Sequence, residues 1–210
     1  MSELLFKDYL GKIKTIKSII WRENASILFY NKKKIFVYAP RQVGATMFLV
    51  ENIITKAANY GQIIITADNQ QSCRDIINRI IQVSELSGID HIFPIDENKI
   101  NICGCEVLII GRDFSIIDFT KKTLVVFDNY AYDIYLGDKL RIINNNINDG
   151  IIIDYIGITT GGITGRLNMI RNKIITLHDY DVYGVHFSET GRSNDFIKTQ
   201  LLHGTLEQYL

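Results

Sequence analysis

Short apolar runs rich in β-branched and aromatic residues alternate with helix-like segments along this chain. The four clearest runs are Ile35 to Ala39 (IFVYA), Gln62 to Ala67 (QIIITA), Leu124 to Asp128 (LVVFD) and Ile151 to Thr159 (IIIDYIGIT). Apolar runs of this length are typical of strands buried on both faces of a sheet. Helices are predicted between them, at 46–58, 70–86 and 136–147. The alternation predicts a three-layer α/β fold with a mostly parallel central sheet flanked by helices.

The remaining segments complete what we expect to be a single domain of 210 residues. Residues 3–30 follow a helical period, and 98–110 predict two strands joined by a turn at Gly104. Beyond residue 170 the pattern weakens, and strands are expected near 173–177 and 182–187, with a helix near 194–208. No linker rich in Pro, Gly or Ser divides the chain. The expected division is an N-terminal helical segment (1–30), a core (31–170) and a C-terminal extension (171–210).

Charge and cysteine content exclude several classes of protein. The 23 Lys and Arg residues balance the 23 Asp and Glu residues, which argues against a dedicated nucleic-acid coat but allows a local basic patch. Three cysteines do not suggest a disulfide framework. The N-terminus lacks the apolar run of a signal peptide, and no stretch approaches the roughly 20 apolar residues of a membrane span. We expect no membrane partner and a reducing compartment.

The loop after the first apolar run carries part of a phosphate-binding pattern. Such a loop needs backbone N–H groups at a helix N-terminus and a Ser or Thr hydroxyl for the metal, in the pattern G-x-x-x-x-G-K-[ST]. Here Gly44 and Thr46 match, while Ala39 takes the place of the first glycine and Ala45 that of the lysine. By pattern alone, an ordinary strand–helix turn with one glycine explains this segment better.

Two later segments place polar side chains after buried strands. Asp128 ends the run LVVFD, at the sheet edge where α/β proteins bind ligands. In phosphate-loop ATPases an Asp there holds Mg²⁺, and a following Glu activates water, which the amide of Asn129 cannot do. Thr159 and Thr160 follow another strand, so their hydroxyls are expected at the same edge. Each segment by itself also fits a turn or a polar loop.

The order and spacing of these three segments resemble those of phage terminase large subunits. Pro40-Arg41-Gln42-Val43-Gly44-x-Thr46 resembles the family's P-R-Q-x-G-K-T loop, and LVVFDNYAY resembles its second motif. Thr159-Thr160-Gly161-Gly162 is similar to its coupling motif, [ST]-T-P-x-G. The resemblance covers roughly 34–210. The departures are Ala45 for the lysine, Asn129 for the catalytic glutamate and Gly161 for the proline.

The resemblance implies a P-loop NTPase fold of the terminase or ASCE type that binds ATP and Mg²⁺. It implies double-stranded DNA and a portal or other packaging subunits as partners, with several copies forming a ring in the host cytoplasm. The implied nucleotide-binding residues are Arg41, Gln42, Val43, Gly44, Ala45 and Thr46. The implied metal ligands are Thr46 and Asp128, and the implied catalytic and coupling residues are Asp128, Thr159 and Thr160. Arg41 would supplement the charge missing at position 45.

Three functions remain open on the sequence. The first is a packaging ATPase with weak or no turnover, because a phosphate-binding lysine and a general base each contribute on the order of 10²-fold or more in rate. The second is a catalytically inactive terminase-like protein that binds DNA, a portal or another motor subunit. The third, a helicase-like ATPase, is disfavoured by the Arg41-Gln42 pair. Since the chain ends where the family's nuclease begins, an ATPase-only protein or a fragment is expected.

Overall fold

The structure is a computed structural model that describes residues 20–32, 34–39, 43–66, 70–89, 91–96, 98–110, 118, 120–129, 136–148, 153–160 and 181–185. The helices in this part of the chain are α1 (Ile20–Lys32), α2 (Ala45–Lys56), α3 (Gln70–Ser87) and α4 (Leu136–Asn148), and a 3-10 turn (Ala57–Asn59) extends α2. The strands are β1 (Lys34–Ala39), β2 (Gln62–Thr66), β3 (Ile92–Asp96), β4 (Lys99–Ile102), β5 (Cys105–Ile109), β6 (Thr123–Asp128), β7 (Ile153–Thr160) and β8 (Asp181–Gly184).

The eight strands form one sheet in the order β3-β4-β5-β2-β6-β7-β1-β8. Among the described strands, the neighbouring pairs β5–β2, β2–β6, β6–β7, β7–β1 and β1–β8 are parallel, and the β3–β4 and β4–β5 pairs at one edge are antiparallel. The predicted mostly parallel sheet is therefore confirmed. Strand β7 lies between β1 and β6, so the strand before the candidate phosphate loop and the strand that ends in Asp128 are separated by the strand that ends in Thr160.

Helices cover both faces of the sheet. Alternate residues of the central strands, such as Ile35, Ile63 and Val126, pack in one apolar cluster with α1, α2 and α3. The residues between them, such as Phe36 and Phe127, are also buried but point to the opposite face, where their rings lie 6.0 Å apart. Helix α4 reaches that face, as the hydrogen bond from its Lys139 to Thr66 of β2 indicates. Burial on both faces explains why these strands lack polar alternation.

The observed elements agree with the predicted ones to within a few residues, with one omission. Strand β3 was not predicted; it contains Pro94 and lies exposed at the sheet edge, where a strand tolerates proline. Strand β8 falls inside the expected extension 171–210 and pairs with β1, so that segment contributes to the central sheet. The helical residues 3–19, the strand near 173–177 and the helix near 194–208 lie outside the described residues. No helix in the described ranges is long and apolar enough to cross a bilayer.

Candidate nucleotide-binding site

The three polar segments picked out in the sequence meet at one edge of the sheet. In the strand register Ala39 of β1 pairs with Thr160 of β7, and Asp128 of β6 pairs with Ile158 of β7. Because these strands are parallel neighbours, their carboxyl ends lie side by side. Two strand spacings place the ends of β1 and β6 about 10 Å apart. This is the edge at which open α/β sheets bind ligands.

A tight turn leads from this edge into α2. Gly44 precedes the helix with a left-handed backbone (φ 91°), which glycine adopts without steric cost. The carbonyl of Gly44 accepts the N–H of Phe48 at 3.0 Å, which starts the helix. The first turn of α2 contains no acidic residue and its N-cap makes no side-chain hydrogen bond. Helix geometry leaves the first four N–H groups without an intrahelical acceptor, so this turn suits an anion.

Positions 45 and 46 differ in what they offer a phosphate. Ala45 is buried and supplies only a methyl group, whereas Thr46 is half-buried and supplies a hydroxyl. Asp128, also half-buried, supplies a carboxylate at the end of β6. Hydroxyl and carboxylate oxygens are the donors that Mg²⁺ prefers. The residues present therefore fit a magnesium nucleotide in their oxygen donors and N–H groups, and lack the lysine that commonly accompanies them.

Asn129 fits its own backbone conformation. Its φ is +56°, in the left-handed region that Asn visits more readily than most residues because its short side chain can bond locally. A longer residue such as Glu would incur about 1 kcal/mol or more of strain at this position. The amide side chain at position 129 is thus matched to the turn that follows β6.

Helix α1 packs against the turn that precedes α2, a contact that the sequence did not reveal. The Trp21 Nε1–H donates to the carbonyl of Val43 at 3.1 Å, and the Trp21 ring lies 5.4 Å from that of Phe48. The next residue, Arg22, lies against Gly44: a Cβ built on that glycine would be 3.9 Å from Cδ, Cζ and Nη1 of Arg22. The start of α1 therefore holds the turn in place. A helical period through Trp21, Ala25 and Phe29 marks the buried stripe, but no local signal indicates that Arg22 is buried beside it.

Arg22 forms an ion pair with Glu51, a largely buried carboxylate on α2. Its Nη1 lies 2.7 Å from Oε1 of Glu51, and the two side chains are only 3% and 13% exposed. Burial raises the pKa of Glu51 from 4.5 to about 7; the positive charge of Arg22 opposes this rise, and the negative charge of Glu23 adds to it. Arg22 is therefore a buried cation, and Glu51 is a carboxyl group that ionises at a higher pH than usual; both lie next to the turn that precedes α2.

A second buried cation lies at the same sheet edge. Lys139 of α4 is 3% exposed, and its Nζ donates to Oγ1 of Thr66 at 2.8 Å. Thr66 ends β2 and pairs in register with Phe127, the residue before Asp128. Lys139 therefore lies one strand away from the Asp128 segment. Its place in a polar helix gave no sequence signal of burial.

The predicted site residues are only partly covered by the structure. Arg41, Gln42 and Gly161 lie outside the described residues, as do the side chains of Thr159 and Thr160, although the backbone of both threonines belongs to β7. The structure brings Val43, Gly44, Ala45 and Thr46 together in the turn and places the end of β6 at the same edge. No cluster of three or more His, Cys, Asp or Glu side chains suited to a metal occurs among the residues described.

The fold is that of phage large terminase ATPase domains. Comparison of the sequence with protein-family models and with curated proteins gives no match. Among solved structures, a mutant of the large terminase ATPase domain of Thermus phage P74-26 is similar, with a TM-score of 0.56 at 13% identity over 89% of this chain and 87% of that one. The large terminase of a second phage, a thermophilic bacteriophage, has a TM-score of 0.57 at 10% identity over 82% of this chain. The large terminase of bacteriophage HK97 has a TM-score of 0.55 at 13% identity over 81% of this chain.

The extent of these matches differs between the isolated domain and the larger proteins. This chain spans 45% of the thermophilic bacteriophage's large terminase and 43% of the HK97 large terminase, compared with 87% of the P74-26 ATPase domain. The large terminase of the thermophilic bacteriophage has been solved in complex with ATP-gamma-S and with ADP, and both of these structures are similar to this chain. The expectation of a terminase-type P-loop NTPase fold is confirmed.

Proposed function

We propose that this chain is a terminase-type ATPase domain that binds magnesium ATP at the 39–46 loop and hydrolyses it weakly or not at all. One observation carries the proposal. The ends of β1, β7 and β6, with Ala39, Thr160 and Asp128, lie at one sheet edge beside the N-terminus of α2. The N–H groups of that helix start would hold phosphate, and Thr46 and Asp128 would hold Mg²⁺. The nucleotide complexes of the thermophilic bacteriophage's large terminase support this assignment.

The weak turnover in this proposal follows from two positions. Ala45 provides no charge for the phosphates, and Asn129 provides no base for an attacking water. Each loss removes on the order of 10²-fold or more in rate, so binding is expected to survive better than hydrolysis. The roles of Arg41 and Gln42 in nucleotide binding, and of Thr159 and Thr160 in coupling, are part of the same proposal.

The partners are proposed from the fold likeness to phage large terminases. The proposed partners are double-stranded DNA and a portal or other packaging subunits. Several copies of the chain would form a ring that binds them in the host cytoplasm during viral genome packaging. The chain's zero net charge requires that DNA contact come from a local surface or from several copies together.

The first experiment is calorimetric titration with ATP and Mg²⁺, followed by a phosphate-release assay on the same sample. Thr46→Ala is expected to weaken Mg²⁺-dependent ATP binding by about 10-fold or more, because it removes a hydroxyl donor to the metal. Thr55→Ala is the matched control: it is the same substitution on the same helix, at a position whose hydroxyl donates to the Glu51 carbonyl of its own helix. If the unaltered chain does not bind ATP at millimolar concentration, the proposed function is wrong.

A second candidate is a catalytically inactive terminase-like protein with a structural or regulatory role. The left-handed backbone at Asn129 favours it, because that turn suits the residue present better than a catalytic glutamate. The double variant Ala45→Lys, Asn129→Glu separates the two candidates. Phosphate release that rises in the double variant supports a nucleotide-binding ATPase site that lacks two groups. ATP binding without release in both proteins supports the inactive candidate.

A further inference from the structure

The phosphate-loop turn has a buried cation beside it, although its own sequence carries none at position 45. The guanidinium of Arg22 comes from α1, outside the motif, and lies beside Gly44, 3.9 Å from the place where a Cβ on that glycine would stand. Because Gly44 has no side chain, nothing of residue 44 separates this cation from the backbone at the start of α2. A Cβ at position 44 would be 3.9 Å from Cζ and Nη1 of Arg22, so it would stand in van der Waals contact with the guanidinium.

The position of Arg22 is fixed by three contacts between α1 and the loop–helix unit. Trp21 holds the carbonyl of Val43, and the Nδ2 of Asn52 in α2 lies 3.2 Å from Oγ of Ser26 in α1. Glu51 holds Nη1 of Arg22 at 2.7 Å. Glu51 comes about two helical turns after Gly44, so Arg22 lies along one face of α2 near its N-terminus.

We propose that the Arg22 guanidinium, held by Glu51 beside Gly44, supplies, in addition to Arg41, positive charge for a nucleoside triphosphate's phosphates that Ala45 does not supply. This inference rests on the proposed function, because it assigns a binding residue to the same nucleotide site. A guanidinium has five N–H donors in a planar fork, so it can hold a carboxylate at one edge and a phosphate at another. An arginine is also always protonated, which makes it a permanent cation even when it is buried.

The alternative role for Arg22 is purely structural, as a tie between α1 and α2. A phosphate-binding cation acts on ATP and on inorganic pyrophosphate, leaves adenosine binding nearly unchanged, and can be replaced by a positive charge at position 45. A structural tie acts through the shape of the turn, so a positive charge at position 45 does not repair its loss.

The test is calorimetric titration of the full chain with Mg²⁺–ATP, Mg²⁺–pyrophosphate and adenosine. Arg22→Gln is expected to weaken ATP and pyrophosphate binding at least about 10-fold and to change adenosine binding by less than about 2-fold. Arg141→Gln is the matched control, since it removes the same charge from an exposed side chain on α4. Adding Ala45→Lys to the Arg22→Gln variant is expected to restore ATP binding, because the charge then returns by the motif's usual route.

Folding is checked by thermal denaturation, because Arg22→Gln leaves Glu51 buried without its cation. If that variant does not fold, Arg22→Met with Glu51→Met removes both charges at once, which buried pairs often tolerate, and the same loss of ATP and pyrophosphate binding is expected. ATP affinity within about 2-fold of the unaltered chain in a folded Arg22 variant overturns this inference and leaves the proposed function standing. An equal loss for adenosine, or no recovery of ATP binding when Ala45→Lys is added to Arg22→Gln, also overturns it. Absence of ATP and pyrophosphate binding in the unaltered chain refutes the proposed function itself.

Discussion

Glu51 is expected to make the stability of this protein depend on pH in an unusual direction. Burial raises its pKa from 4.5 to about 7 against the opposing charge of Arg22. Because the folded-state pKa is raised, the stability that Glu51 contributes is fully present below pH 4.5 and is lost as the pH rises through about 7. Paired surface carboxylates behave in the opposite way, since they contribute stability at neutral pH that acid removes.

The size of the effect follows from the two pKa values. A pKa difference of about 2.5 between the folded and unfolded chains corresponds to about 3 kcal/mol in the free energy of unfolding. That is a large share of the roughly 5–15 kcal/mol by which a domain is stable. The physical cause is that a carboxylate 13% exposed loses most of its hydration, and one arginine does not restore all of it.

The measurement is urea unfolding of the chain and of Glu51→Gln between about pH 4 and pH 8. Below pH 4.5 both proteins present a neutral group to Arg22, so their free energies of unfolding should be similar. By about pH 8 the glutamine variant should be the more stable of the two by about 3 kcal/mol. A difference that does not vary with pH would refute the reasoning. Glu106→Gln is the control: hydrogen bonds from Lys99 and Lys121 hold the pKa of Glu106 below its ordinary value, so its pH dependence should have the opposite sign.

Four further substitutions, at three positions, test two hydrogen bonds and one backbone conformation. Trp21→Phe removes the donor to the buried Val43 carbonyl, so it should reduce the free energy of unfolding by about 1–3 kcal/mol and weaken ATP binding. Urea unfolding measures the first effect and calorimetric titration the second. Unchanged ATP affinity would show that this hydrogen bond does not hold the loop. Because φ is positive at Asn129, Asn129→Gly should leave the free energy of unfolding unchanged or raise it, and Asn129→Ala should lower it by about 1 kcal/mol. Thermal denaturation compares the two variants, and equal effects would show that the left-handed backbone does not favour Asn or Gly there. Tyr60→Phe removes the 2.6 Å hydrogen bond to the buried Asp154 carboxylate and should reduce the free energy of unfolding by about 1–3 kcal/mol, and a variant with unchanged urea stability would contradict this.

Most of the elements could be predicted because their signals are local. Strands β2 and β6 form where the runs QIIITA and LVVFD predicted them, and the turn at Gly104 joins two strands as predicted. The missed strand, β3, owes its conformation to pairing with β4, and its Pro94 argues against a strand when read locally. Its prediction required knowledge of the neighbouring strand and of the sheet edge.

The candidate site divides in the same way. The sequence by itself predicted the glycine turn after β1 and the strand that ends in Asp128, and it set the residues Ala45 and Asn129 on which the proposed weak turnover rests, because residue identity and short-range spacing encode them. Only the tertiary structure decided that Arg22 lies beside Gly44 and pairs with Glu51, because α1 must pack against the turn and α2 before these groups meet. Burial and charge proximity are properties of that packing, and no local pattern in the chain records them.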